Sequence, residues 1–190
     1  GSRDDRDMVM DKVLEDLNFA CQYIQKGSKT TWSKDMANAM KADICLWEGT
    51  FCKYRTAAEN GKAADAARAQ KFLTECVTAC ENVMNAGYEL GDDYQATYNS
   101  VSLSSNPEVI FFKEYKDNLF YHSLIAYTCS STQISGMTKD AFDAYLFKDG
   151  KPLALTSEDK SDVGEEDADG NYSIAKLLEV RDARLAKTID

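Results

Sequence analysis

The sequence predicts a mainly α-helical fold: helical hairpins form the first half, and an irregular α+β segment follows them. Three long segments of the first half repeat apolar residues at spacings of three and four. Short connections join these segments, as in antiparallel helix pairs. After Gly87 the periodicity gives way to a stretch rich in Tyr, Asp, Asn and Ser. We therefore expect a helical scaffold over residues 1–87 and an irregular portion over residues 88–190, within one domain.

The first predicted helix covers residues 7–24. Acidic residues precede and open it, which suits the positive end of the helix dipole. Gly27 is its expected C-terminal cap. Its apolar face is expected to consist of Met10, Val13, Leu14, Leu17, Cys21 and Ile24.

The second and third predicted helices cover residues 33–55 and 64–85. Ser33 is the expected N-cap of the second helix, and Gly87 is expected to stop the third. The apolar stripe expected on the second helix is Met36, Ala37, Met40, Ile44, Trp47 and Phe51. The inward face expected on the third is Ala69, Phe72, Leu73, Cys76, Ala79, Cys80 and Val83.

These two helices and their turn are similar to a tetratricopeptide repeat. The first carries Leu46, Gly49 and Phe51, and the second carries Ala69 and Phe72. Small residues at such positions let two helices approach closely. A generic helical hairpin satisfies the same periodicity, so it remains the alternative.

The second half alternates short elements with loops. Residues 108–115 read as one short strand after the Asn106–Pro107 breaker, and residues 116–135 as a polar loop with many aromatics. Thr138 is the expected N-cap of a short helix that ends before a turn at Asp149–Gly150. An acidic loop over residues 156–173 precedes a helical pattern over residues 174–190.

Composition excludes several classes of function. The net charge of −10 leaves no basic footprint for duplex nucleic acid. No apolar run is long enough to cross a membrane as a helix. The six cysteines contain no CxxC pair and His122 is the single histidine, so the cysteines are interpreted as small buried hydrophobes rather than zinc ligands.

Catalytic signatures are not found in the sequence. It has no serine elbow, phosphate-binding loop or HExxH motif. Asp140 and Asp143 are the one pair of carboxylates considered for glycoside hydrolysis, but their positions fit helix capping and a solvated face. We therefore expect a protein that is not an enzyme.

Aromatic and planar polar residues concentrate in the loop after the predicted strand. The C–H faces of sugars stack on aromatic rings, whereas their hydroxyl groups pair with amides, carboxylates and guanidinium groups. Binding residues gather on such loops, although some of these rings could instead pack beneath the loop. The candidate ligand-binding residues are Tyr115, Asn118, Phe120, Tyr121, His122 and Tyr127.

The acidic loop contains the beginning of a calcium-loop pattern. Asp167, Asp169 and Asn171 stand where the first oxygen ligands of an EF-hand would be. The pattern then fails, because Tyr172 replaces the required glycine and Leu178 the final glutamate. A solvated acidic loop is the default interpretation, and a looser calcium site at these three residues is the alternative.

Several short segments form an ordered set that extends over nearly the whole chain. They are 32–37 (WSKDMA), 39–42 (AMKA) with Leu46–Trp47, 86–90 (AGYEL) with Asp93–Tyr94, 106–111 (NPEVIF), 138–152 (TKDAFDAYLFKDGKP) and 181–185 (RDARL). Taken in this order, the segments resemble the SusD/RagB family of outer-membrane nutrient-binding lipoproteins of Bacteroidetes. One departure is Ala183, where the family usually has proline.

The resemblance implies a fold and a function. The fold would be a tetratricopeptide-like scaffold carrying a ligand-binding portion, here residues 88–190. The protein would be lipid-anchored on the cell surface, at the outer membrane, as the lid of a TonB-dependent, SusC-like transporter. It would capture an oligosaccharide or another nutrient without cofactor or chemistry. The alternative is a helical-repeat interaction scaffold without a small-molecule ligand.

Family members are much longer than this chain and carry a lipidated N-terminal cysteine that is absent here. We therefore expect the chain to be a fragment of a longer protein.

Overall fold

The computed structural model describes residues 2–116, 119–120, 123–124, 127, 136–158 and 178–189. The protein is mainly helical, as the sequence predicts. It forms two compact units: one comprises the chain up to Gly91 together with Val101–Glu114, and the other Asp92–Ser100 together with the chain from Tyr115 onward. The helices are α1 (Arg6–Tyr23), α2 (Lys34–Tyr54), α3 (Ala57–Asn60), α4 (Ala66–Met84), α5 (Tyr94–Asn99), α6 (Lys139–Ala144) and α7 (Ala183–Ala186).

The three long helices lie where the sequence predicts them, and side-chain caps set their starts. Asp5 accepts a hydrogen bond of 2.9 Å from the amide of Asp7 at the start of α1. The predicted cap Ser33 accepts from the amide of Met36 at 3.2 Å and begins α2. Such caps satisfy amide groups that have no partner within the helix.

Helix ends are predicted less accurately. Gly87 has a φ of 89°, the left-handed conformation expected of a glycine that stops α4. The prediction that Gly27 ends α1 is wrong, because α1 ends at Tyr23 and Ile24 is already extended. Gly27 lies in the following loop, where an added Cβ would be 2.8 Å from the Thr31 hydroxyl oxygen.

The core of the first unit is formed where α1 and α4 pack against α2. Its centre contains Leu14, Cys45, Phe72 and Cys76. Gly49 of α2 faces Leu73 of α4, and an added Cβ would lie 2.7 Å from the Leu73 Cγ. The two helices can therefore approach closely at a residue without a side chain.

The predicted apolar stripe of α2 is rotated from the face that is buried. Met40 is exposed, and so is Trp47, with 57% of its surface accessible. The buried face instead consists of Ala37, Asn38, Lys41, Cys45, Glu48, Gly49 and Cys52. The apolar pattern gives the wrong face because charged residues can also be buried when they have partners on neighbouring helices. Lys41, for example, lies 2.5 Å from a carboxylate oxygen of Glu75.

An ion-pair cluster joins the three long helices. Glu48, fully buried on α2, accepts a hydrogen bond of 3.0 Å from Arg6 of α1, and Arg68 of α4 lies 3.4 Å away. Arg55 binds both carboxylate oxygens of Asp7, at 2.8 and 3.1 Å. The buried Glu48 and the partly buried Asp7 therefore both have guanidinium partners, as charges removed from water require.

The prediction that cysteines are buried is confirmed for part of the set. Cys45, Cys52 and Cys76 are buried, and Cys21 is half-buried. The prediction is wrong for Cys80, which is exposed on α4. These thiols are free. Cys129 lies outside the described residues.

The predicted strand over residues 108–115 is wrong for the described chain. The segment has a turn at Glu108 and a bend at Ile110, and no ladder of backbone bonds forms along it within the described ranges. One of its amides, that of Phe112, donates to the carbonyl of Lys29 in the loop between α1 and α2, at 2.8 Å. The segment therefore bonds to a loop, which offers no long extended partner.

The second unit contains short elements joined by a buried arginine. Thr138 caps α6, as predicted, by accepting from the amide of Ala141 at 3.1 Å. The predicted turn at Asp149–Gly150 is confirmed by a bond of 2.8 Å from the Gly150 amide to the Phe147 carbonyl. Arg181 is buried and donates to the Tyr145 carbonyl just beyond α6, at 2.8 Å.

The helical pattern predicted over residues 174–190 is interrupted. Residues 178–180 are helical, but Arg181 leaves the helix to form an isolated bridge with Phe147. Asp182 then caps the short helix α7 by accepting from the Arg184 amide. Residues 174–177 and 190 lie outside the described residues.

Candidate functional site

Two of the predicted binding residues, Tyr115 and Phe120, form a pair of exposed rings. Two backbone hydrogen bonds, each 2.8 Å, join Lys116 and Phe120 directly. The ring centroids are 5.6 Å apart, and the ring planes are 12° from parallel. The side chains are 45% and 48% exposed. We call Tyr115 and Phe120 the loop ring pair.

The remaining predicted residues are placed only in part. Tyr127 is exposed. Asn118, Tyr121 and His122 lie outside the described residues, as do the calcium candidates Asp167, Asp169 and Asn171. The structure therefore gives geometry for the loop ring pair and exposure for Tyr127.

The loop ring pair can present an apolar surface to a ligand in water. Because the two rings stack on each other, the area that stays exposed belongs to their outer faces and edges. Their exposure is large for residues of this size, which ordinarily bury most of their area. Such a surface suits the C–H face of a sugar ring, whose hydroxyl groups lie around the edge and can stay hydrated.

A cleft of about 720 Å³ lies elsewhere in the second unit. The hydroxyl groups of Tyr94 and Tyr145 lie 3.4 and 3.2 Å from the Thr188 hydroxyl oxygen. Arg184 contacts both carboxylate oxygens of Asp182, at 2.6 and 3.0 Å. The cleft is lined by Tyr94, Ala144, Tyr145, Leu146, Phe147, Lys148, Gly150, Asp182, Ala183 and Arg184.

Electrostatics in the cleft favour a charged carboxylate. The hydrogen bonds from Arg184 lower the pKa of Asp182 to about 2. A hydrogen bond with Thr188 lowers the pKa of the Tyr94 phenol. The cleft therefore offers phenol, guanidinium and carboxylate groups together, a set that can donate to and accept from hydroxyl groups.

Sequence reasoning missed this cleft. Tyr94, Tyr145 and Arg184 stand in the sequence only within segments that resemble SusD/RagB proteins. Periodicity could not bring together residues so distant along the chain. A usable signal was that residues 93–94, 138–152 and 181–185 all belong to the motifs that resemble SusD/RagB proteins.

Asp140 and Asp143 occupy the positions expected for structural carboxylates. Asp140 lies in the first turn of α6. Asp143 forms ion pairs with Lys139 at 2.6 Å and with Arg181 at 3.3 Å. The first ion pair lies within α6, and the second connects α6 to the buried arginine.

Asp7, Glu48 and Cys52 bring ligand atoms within 4.8 Å of one another, as a metal site could. The carboxylates are already bound by guanidinium groups, including that of Arg55 on Asp7. The Cys52 thiol donates to Glu48 at 3.3 Å, and burial raises the pKa of this thiol. A protonated thiol beside carboxylates held by arginines fits an ion-pair cluster better than a cation site.

A comparison of the chain with known protein families, curated proteins and solved structures finds no match. Within the described ranges, none of the helices is both long enough and apolar enough to cross a membrane.

Proposed function

We propose that the protein is a SusD/RagB-like nutrient-binding protein. It captures an oligosaccharide at the outer surface of the outer membrane and passes it to a TonB-dependent transporter. A lipid anchor of the kind found in that family would hold it at the membrane, and no covalent chemistry on the ligand is involved. The ordered motifs in the sequence support the family, and the helical first unit is compatible with a tetratricopeptide-like scaffold.

The observation that carries the proposal is the loop ring pair. Tyr115 and Phe120 are stacked, yet nearly half of each side chain is exposed. Exposing two adjacent aromatic rings leaves a favourable burial of apolar area unused. A ligand that covers the rings would recover that free energy, and a sugar would do so while its hydroxyl groups remain hydrated.

A second candidate function is supported by the outer face of α2. Leu46, Trp47 and Tyr54 are all exposed on this helix. Exposed apolar residues on one helix are typical of a surface that binds another protein. A helical-repeat interaction scaffold without a small ligand is therefore the alternative.

Two experiments distinguish the two functions: a screen of the protein on a glycan array, and binding measurements on alanine variants. The protein is expected to bind at least one oligosaccharide, and the pair Tyr115→Ala/Phe120→Ala should weaken that binding about tenfold or more. The matched control is Phe19→Ala/Tyr23→Ala, because these rings also form an exposed pair, 4.4 Å apart on α1. The control should bind as the parent does. A parent protein that binds no glycan would contradict the proposal and favour the scaffold.

A further inference from the structure

Another exposed ring pair lies in the first unit, where Trp32 of the loop between α1 and α2 contacts Phe111. Trp32 is 67% exposed, and Phe111 is 38% exposed. Their ring centroids are 6.2 Å apart, and the planes are 29° from parallel. We call these two residues the tryptophan ring pair. None of the candidate binding residues deduced from the sequence belongs to it.

The loop that carries Trp32 is fixed on both sides. The Lys29 carbonyl accepts from the Phe112 amide at 2.8 Å, and the Lys29 ammonium group donates to the Asn106 carbonyl. Immediately after Trp32, the buried Ser33 caps α2. Trp32 is therefore held on an anchored backbone while most of its side chain faces water, an arrangement that lowers the entropy cost of binding.

The other tryptophan of the chain provides a contrast. Trp47 stacks on Phe51 with centroids 5.5 Å apart and planes 1° from parallel. The Arg6 guanidinium lies 5.2 Å from the Trp47 ring centroid. Trp47 thus contacts groups of both α1 and α2, whereas Trp32 contacts a ring of the segment after Pro107 and is the more exposed.

The chemistry around Trp32 fits a saccharide better than a protein partner. Hydroxyl groups dominate the same loop: Ser28 lies 3.2 Å from the Thr30 hydroxyl and 3.0 Å from that of Thr31. Hydroxyl groups can both donate to and accept from sugar hydroxyls. Two rings are also a small apolar area beside the roughly 800 Å² that each partner buries in a stable protein interface.

We propose that Trp32 and Phe111 form a second saccharide-stacking subsite, in the first unit. The choice of a saccharide as the ligand rests on the proposed function. The location of the site rests on the exposure and anchoring of the two rings. A sugar residue lies with its C–H face on the Trp32 indole, and its hydroxyl groups face the hydroxyls of the loop.

The presence of only two tryptophans allows a direct test. The Trp47→Phe variant keeps Trp32 as its single tryptophan, so its emission reports on this site alone. Cellohexaose, xylohexaose, mannohexaose and the strongest binder from a glycan array are titrated by calorimetry, and acrylamide quenching of emission is measured in parallel. For a saccharide that binds, quenching of Trp32 is expected to fall at least twofold at saturation.

Affinity provides the second readout. Trp32→Ala is expected to weaken binding of the same saccharide about tenfold, whereas Trp47→Phe should leave the affinity unchanged. Unchanged affinity in Trp32→Ala, with calorimetric binding and folding intact, would overturn the second subsite and leave the proposed function standing. No calorimetric binding of any saccharide by the parent would overturn both proposals.

Discussion

Glu48 is the residue whose environment differs most from what the sequence indicates. A glutamate in a helix is ordinarily placed on the solvated face. Here its carboxylate is completely buried and is contacted by Arg6 and Arg68 from two other helices. The apolar stripe could not predict this, because a pattern of hydrophobic residues carries no information about which charged residues find partners.

Replacing Glu48 by glutamine tests how much the ion-pair cluster stabilises the first unit. Glu48→Gln conserves shape but removes the buried anion between two guanidinium groups. Arg68 keeps its ion pair with Asp11 at 2.9 Å, whereas the nearest remaining carboxylate to Arg6 is that of Asp7 at 3.6 Å. We expect a loss of about 3 kcal/mol in the free energy of unfolding, measured with urea. The control Glu15→Gln removes an exposed pair with Lys12 and should cost less than about 1 kcal/mol. Equal effects of the two substitutions would contradict a stabilising role of burial in this cluster.

Asp7 makes the stability of the same cluster depend on pH. Hydrogen bonds from Arg55 hold the pKa of its carboxyl well below the usual range, and Lys62 contributes in the same direction. Because the pKa is lower in the folded state, the stabilisation is complete above the unfolded pKa of about 3.9 and is lost as the pH falls below it.

Asp7→Asn is therefore expected to cost about 2 kcal/mol at pH 7, and the difference from the parent should shrink at pH values below about 4. Urea unfolding across a pH series measures both quantities. Asp16→Asn, an exposed substitution on the same helix, should stay within about 0.5 kcal/mol of the parent at pH 7. A difference for Asp7→Asn that grows on acidification would refute the linkage.

Among the elements, local signals in the sequence predict where helices start better than they predict which segments pair with each other. Ser33 and Thr138 cap helices as expected, because a cap depends on a hydrogen bond within a few residues. The predicted strand over residues 108–115 is wrong because a strand needs a partner that β-propensity alone cannot supply. Its Phe112 amide bonds instead to Lys29, far away along the chain.

The contact between α2 and α4 depends on Gly49. Alanine at this position gains helix propensity, but its Cβ would approach Leu73 to within 2.7 Å. Because overpacking costs more than the propensity gained, we expect Gly49→Ala to destabilise the first unit by about 1 kcal/mol, measured by thermal unfolding. Gly136→Ala is the matched control, since an added Cβ there meets nothing within 4 Å. A stabilised Gly49→Ala variant would show that the helices can separate without cost.

For the whole molecule, the sequence predicts the helical class. It does not predict all of the geometry of the candidate sites. The structure confirms the mainly helical class. The concentration of rings in one region is visible in the sequence, but the stacking of Tyr115 on Phe120 and the backbone bonds beside it are not. The pairing of Trp32 with Phe111 depends on a contact between distant segments, so only the structure reveals it.

The proposed capture of a saccharide on exposed rings is the central claim, and a set of calorimetric titrations tests it most directly. The strongest binder from a glycan array is titrated into the parent, into Tyr115→Ala/Phe120→Ala and into the ring-preserving variant Tyr115→Phe/Phe120→Tyr. We predict that the alanine pair loses at least tenfold in affinity while the ring-preserving pair stays within about threefold of the parent. An alanine pair that is folded and binds the saccharide as tightly as the parent would contradict the claim.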